Sequence, residues 1–250
     1  MGLPAIEHRL SPNFGPRAEG KAIDILLLHY TGMASEERAV RWLCDPGSSV
    51  SSHYFIFEDG RIVRLVEETD RAWHAGKSFW AGETDINSRS IGIEIANPGH
   101  EFGYRDFPDA QIEAVVGLCA DILSRHPIPP ERVLAHSDVA PLRKEDPGEL
   151  FPWRRLHEAG IGHWIAPEPI RDGPMLKRGD SGAAVGALKQ RVREYGYGLG
   201  AVSEFDAGTE AVVRAFQRHF RPQSVDGIAD RSTITTLDRL LAALARPNLT

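Results

Sequence analysis

The sequence predicts an α/β protein, a central mixed β-sheet flanked by helices, followed by a small all-α domain of three helices. Three observations carry this expectation. Short apolar runs of strand length alternate with helical periods up to about residue 160. The segment 165–174 then places three prolines in ten residues, which stiffens the chain towards an extended form. Beyond it only helical periods occur, at roughly 181–196, 206–220 and 230–245, each opening near an Asp or Ser suited to capping. The expected organisation is therefore a catalytic-sized domain over 1–164, a linker over 165–174 and a helical domain over 175–250.

Within the first domain, Ile25-Leu26-Leu27-Leu28-His29-Tyr30 reads as a buried strand with a histidine near its end. Residues 35–44 carry a helical pattern with Ser35 as N-cap. Tyr54–Phe57 and Ile62–Val66 flank an Asp-Gly turn, a hairpin signal. Residues 70–88 have no period and read as a long loop, a kind of segment often used for function. Ser90–Ala96 alternates, with Glu94 sharing a face with Gly92 and Ala96 while the isoleucines take the other. A helix is expected over 109–126, a short strand at Val133–His136, a Pro-rich turn over 137–148 and a brief helix from Trp153 to Ala159.

Composition excludes several classes of function. The 250 residues are 42% hydrophobic and 26% charged, enough for a proper core, and the formal net charge is −6. No basic face is advertised, so a nucleic-acid partner is not expected. No apolar run approaches the ~18 residues of a membrane span. Residues 1–10 lack the basic start and apolar core of a signal peptide, so the chain as written is expected in the cytoplasm, with export as the alternative. Cys44 and Cys119 lie in apolar helical stretches without a CxxC spacing and are expected to be small buried hydrophobes.

The chemistry concentrates around His136. That strand-end histidine opens a Pro-punctuated loop that returns a carboxylate, Asp146, ten residues later. His29 ends another strand of the same expected sheet. Two imidazoles and one carboxylate would give zinc three protein ligands and leave a fourth position open, the arrangement of catalytic sites. On spacing alone, the competing reading is a pair of hydrogen-bonded strand-end histidines.

The residues also carry a family resemblance. Leu28-His29-Tyr30-Thr31, Ser52-His53-Tyr54, Arg71-Ala72-Trp73-His74-Ala75-Gly76, Ser90-Ile91-Gly92-Ile93-Glu94 and His136-Ser137-Asp138 through Arg143–Gly148 occur in order. Over about residues 20–160 the sequence resembles the zinc-dependent N-acetylmuramoyl-L-alanine amidases of the AmpD/AmiD type, which share a fold with lysozyme-type phage amidases and peptidoglycan recognition proteins. The resemblance implies one zinc ion held by His29, His136 and Asp146, Glu94 as general base and then acid, and Lys144 at the oxyanion. It implies a peptidoglycan or muropeptide substrate, with Trp73 and His74 lining the groove for stem peptide and sugar, Asn87 helping to hold that groove, and His53 orienting substrate or supporting a ligand. Asp146 stands where phage and animal relatives carry a cysteine. Two rival readings are a zinc-free recognition protein and a zinc peptidase that cuts elsewhere in the stem peptide.

Residues 175–241 resemble the small peptidoglycan-binding domain often attached to wall hydrolases, through Leu176–Gly182, Tyr195-Gly196-Tyr197, Ala215-Phe216-Gln217 and Val225–Asp230. Ala229 stands where glycine is common. Val212, Phe216 and Phe220 are expected in the core, and the domain is expected to concentrate the enzyme on polymer.

Overall fold

The computed structural model describes residues 5–245. The outermost ends of both expected domains, 1–4 and 246–250, lie outside the described residues. In chain order the catalytic half contains β1 (Ile6–His8), β2 (Phe14–Pro16), β3 (Ile25–Tyr30), α1 (Glu36–Leu43), β4 (Tyr54–Ile56), β5 (Ile62–Arg64) and β6 (Asp70–Ala72). It continues with α2 (Ile86–Arg89), β7 (Ser90–Ile95), α3 (Gly99–Phe102), α4 (Asp109–Arg125), β8 (Val133–Ala135), α5 (His136–Val139) and α6 (Trp153–Glu158). The carboxyl-terminal helices are α7 (Ala183–Tyr195), α8 (Ala207–Phe220) and α9 (Arg231–Leu244).

Six strands form one mixed sheet in the order β1-β5-β4-β7-β3-β8, and β2 pairs with β6 in a separate antiparallel ribbon. Only the β4–β5 hairpin is antiparallel within the main sheet. Its three central strands are the apolar runs read from the sequence. Alternation sorts their side chains: Leu26, Leu28, Ile91, Ile93 and Ile95 pack with the apolar face of α4, whose Ile112, Val115, Leu118 and Cys119 recur at helical spacing. Ile25, Leu27 and Leu134 project to the opposite face.

That opposite face carries the main departure from expectation. The carboxyl-terminal helices do not enclose a separate core. Val185, Leu188, Val192, Phe205, Val212, Phe216, Phe220, Leu237 and Leu240 share one continuous apolar cluster with Ile25, Leu27, Trp80, Ile86 and Leu134 of the catalytic half. Three helices of 13–14 residues present too little apolar surface to shield themselves, and the open sheet face supplies the rest. The 165–174 segment lies along α9 rather than spanning a gap: Glu168 accepts from Ser232 and donates its N–H to the Thr236 hydroxyl.

Smaller differences have local causes. Residues 70–88 contain β6 and the start of α2, and the 137–148 turn contains α5, all too short to register as a period. Asp206 and Asp230 cap α8 and α9, whereas α7 opens at Gly182 without a side-chain cap. Cys119 is buried as expected, but Cys44 is only half-buried because it forms the C-cap of α1, where the chain turns out to solvent.

Candidate metal centre and active site

Register builds the site. In the parallel β3–β7 pair, Leu27 lies opposite Gly92 and His29 opposite Glu94, so the imidazole and carboxylate stand side by side on one face. On the other flank, Leu28 pairs with Ala135, which places His136 one step on, as the first residue of α5. The loop then folds back, with the Ser137 N–H donating to the Asp146 carbonyl at 3.0 Å. His29, His136 and Asp146 are all buried, with one ligand atom from each lying within 4.8 Å of the others.

Hydrogen bonds fix the tautomers. His136 Nε2 lies 3.1 Å from the Ala75 carbonyl, which can only accept, so Nε2 carries the proton and Nδ1 is a bare lone pair. Ser90 donates its hydroxyl to the Ile86 carbonyl at 2.7 Å and therefore accepts from His74 Nε2 at 3.2 Å. His74 Nδ1 is then free to accept from His29 Nε2 at 3.0 Å, which leaves His29 Nδ1 bare as well. The two bare nitrogens are 2.9 Å apart, and Asp146 Oδ2 sits 3.1 Å and 3.0 Å from them. Burial and the neighbouring His136 push His29 down to about 4, so His29 is neutral near neutrality and adds no proton to the cluster. Three acceptors facing one point require a cation. Bonds of ~2.0–2.1 Å in a tetrahedral shell put ligand atoms about 3.3 Å apart, close to the observed triangle. The chemistry of the donor set fits zinc.

The remaining residues surround this triangle. A cleft of about 210 Å³ is lined by Glu94, Lys144, His136, Asp146, Trp73 and His74, together with Met33, Trp42 and Val50. Glu94 Oε2 is buried and has no hydrogen-bond partner. Burial raises this carboxyl to about 8, with the charge of Asp146 adding to the rise and Lys144 opposing it.

Four sequence-predicted residues take different places. Half-buried Trp73 lines the cleft, while His74 both lines it and supports His29 from behind. Gly92 makes room for that imidazole, since a Cβ there would come within 2.6 Å of the His74 ring. Asn87 is behind the cleft, its side-chain oxygen accepting the N–H groups of His74 and Ala75 at 3.1 Å and 2.8 Å. His53 is completely buried and does not reach the cleft; Gly92 N–H donates to its Nδ1, and its Nε2 lies 3.1 Å from the Asp70 carbonyl.

Trp42 was not among the residues singled out by motif. It is half-exposed on α1, whose buried positions are Ala39, Val40 and Leu43, so it occupies the polar side of an amphipathic helix. An aromatic residue on that side is the signal that identifies it.

Comparison with known proteins decides the family. The N-acetylmuramoyl-L-alanine amidase family model matches residues 19–149, more than half of the chain. The chain belongs to the N-acetylmuramoyl-L-alanine amidase family. A peptidoglycan binding domain model matches residues 181–237 of this amidase. It is 36% identical to the N-acetylmuramoyl-L-alanine amidase AmiD of Escherichia coli over 231 residues, 88% of this chain and 82% of that protein. The 1,6-anhydro-N-acetylmuramyl-L-alanine amidase AmpD of Enterobacter cloacae is 31% identical over 167 residues, 60% of this chain and 87% of its own length. Among solved structures, E. coli AmiD in complex with anhydro-N-acetylmuramic acid-L-Ala-D-gamma-Glu-L-Lys superposes with a TM-score of 0.76 at 35% identity, covering 92% of this chain and 94% of that one. AmpDh3 from Pseudomonas aeruginosa in complex with anhydromuramic pentapeptide gives 0.75 at 34% identity, with 94% and 96% covered. The amidase therefore matches AmiD and AmpDh3 over both of its parts, and AmpD over the catalytic half alone. No helix among the described residues is long and apolar enough to cross a membrane.

Proposed function

We propose that this amidase is a zinc enzyme that hydrolyses the amide between N-acetylmuramic acid and L-alanine in muropeptides, including anhydro-muropeptides of the kind bound by its crystallised relatives. One observation carries the reading. Three lone pairs, on His29 Nδ1, His136 Nδ1 and Asp146 Oδ2, face one another without a proton, beside the unpartnered Oε2 of Glu94. Zinc held there would supply Lewis acidity at the scissile carbonyl and acidify water.

The chain's own groups do the rest. Glu94, which ionises once positive charge at the triangle offsets that of Asp146, takes a proton from the attacking water as the water oxygen bonds to the amide carbon. Positive charge on Lys144, which lines the cleft, stabilises the negative charge that develops on the carbonyl oxygen. As the C–N bond breaks, Glu94 returns the proton to the departing α-amine of alanine. Trp73 and Trp42 offer flat apolar surfaces on which the sugar or stem peptide rests. His74 and Ala75 hold the two imidazoles from behind, which sets their orientation and basicity.

The test is to incubate the protein with soluble anhydro-muropeptide and with intact sacculi, with and without a chelator, and to weigh the products. Release of a free stem peptide beginning with alanine, abolished by chelator and restored by zinc, is expected. Alanine left attached to the sugar would mean a peptidase, and binding without product would mean a recognition protein.

A further inference from the structure

The peptidoglycan-binding-like helices reach the metal centre through one buried carboxylate. Asp138 lies two positions after His136 and is completely buried. Its Oδ2 accepts the Ala135 N–H at 2.8 Å, which closes the start of α5, the turn that presents His136. The other bonds come from the carboxyl-terminal domain. The Tyr197 hydroxyl donates to Oδ1 at 2.6 Å, and His219 Nδ1 lies 2.7 Å from Oδ2. His219 is itself fixed between Trp153 and Phe220, with ring centroids 3.7 Å and 3.9 Å away.

Two further contacts grip the same region. Arg218 donates to Glu145 at 2.5 Å and lies 3.6 Å from Glu149, so it straddles the chain neighbours of the ligand Asp146. On the opposite side, Trp80 belongs to the loop that carries His74 and Ala75, and it packs edge-on against Tyr197 with centroids 4.9 Å apart. The Ala81 N–H donates to the Gly196 carbonyl at 2.8 Å, and a Cβ on Gly196 would strike the Trp80 ring at 2.6 Å. Both sides of the ligand segment are thus tied to the carboxyl-terminal domain, through α8 and through the turn that follows α7.

We propose that the carboxyl-terminal domain is a working part of the metal centre, with Tyr197, His219 and Arg218 as positioning residues that hold the 136–149 segment so that His136 and Asp146 stay at ligand distance from His29. The inference rests on the ligand assignment made above. Removing a donor leaves the Asp138 carboxylate buried with unmet acceptors. The segment then relaxes, and the ligand triangle loosens.

Full-length Tyr197→Phe, His219→Phe and the double variant test this. His219→Phe keeps an aromatic ring in the stack but cannot bond Asp138. The control is Tyr195→Phe, which deletes a hydroxyl bonded to His163 at 2.8 Å, elsewhere on the same interface. Zinc affinity is read by chelator competition, and kcat and KM are read on a soluble anhydro-muropeptide. The double variant is expected to lose about 10–100-fold in zinc affinity, as when a partner behind a metal ligand is removed. Its kcat should fall at unchanged KM, while the control loses thermal stability without losing zinc affinity. Tyr197→Phe alone, the milder change, should show the same loss to a smaller degree if the double variant does not fold. Wild-type zinc affinity in Tyr197→Phe and His219→Phe, or an equal loss in the Tyr195→Phe control, overturns the proposal. A wild-type protein that binds zinc yet leaves muropeptide uncut would sink the amidase reading alone, because zinc affinity still decides this one.

Discussion

Glu94 and His29 face each other across neighbouring strands because both occupy positions of one parity in a parallel register. That parity was legible: the alternation of Ser90–Ala96 assigned Glu94 to the glycine face, and the ordered motifs named both residues. Glu94 ligates nothing in the triangle, so Glu94→Ala should retain zinc by elemental analysis while kcat falls by about 10²–10⁴. Near-normal turnover would remove Glu94 from proton transfer. Asp146→Ala instead leaves two imidazoles for the ion and should lower zinc content after dialysis. Trp42 was illegible as a motif, and its exposure at the cleft is a consequence of helix phase. It is not among the ligands, so Trp42→Ala should raise KM several-fold at constant kcat, a pattern that means lost binding shared by ground and transition states. A fall in kcat alone would contradict that role.

At the scale of elements, the strands and long helices announced themselves through period, and the loop over 70–88 did not. Its order comes from hydrogen bonds between side chains and backbone, which leave no periodic mark. Arg17 donates to the carbonyls of Glu68, Asn87, Ser88 and Ser90, a remote residue binding the loop at both ends. Ser51 caps the Trp73 N–H, and Asn87 caps the next two. The same logic placed His53 in the interior, although its motif had suggested a groove residue as readily as a support. Asn87→Ala strands two buried N–H groups and should cost about 1–3 kcal/mol for each that remains unsatisfied. Because those groups belong to His74 and Ala75, zinc affinity should fall along with stability in urea titrations. A stability loss with unchanged zinc affinity would show that the loop holds its shape without this cap.

For the whole molecule, sequence periodicity identified three carboxyl-terminal helices but could not show which surface they cover. An amphipathic helix reveals that it has an apolar face and is silent about the partner. Here the partner is the sheet itself, with Ile25, Leu27 and Leu134 in one cluster with Val185, Phe216 and Leu237. A tethered binding domain would melt separately from its enzyme. A shared core instead couples the two, and calorimetry should record one transition whose calorimetric and van't Hoff enthalpies agree. Zinc at about a hundred times its Kd would add about 2.7 kcal/mol to the folded state. For a chain of this size each kcal/mol is worth about 2–4 °C, so chelation should lower that transition by roughly 5–10 °C. The helical domain should melt with it, because Asp138 links α8 to the segment between two ligands. Two resolved peaks, with only the first moved by chelator, would mean that the helices fold without reference to the metal and that their packing on the sheet is weak.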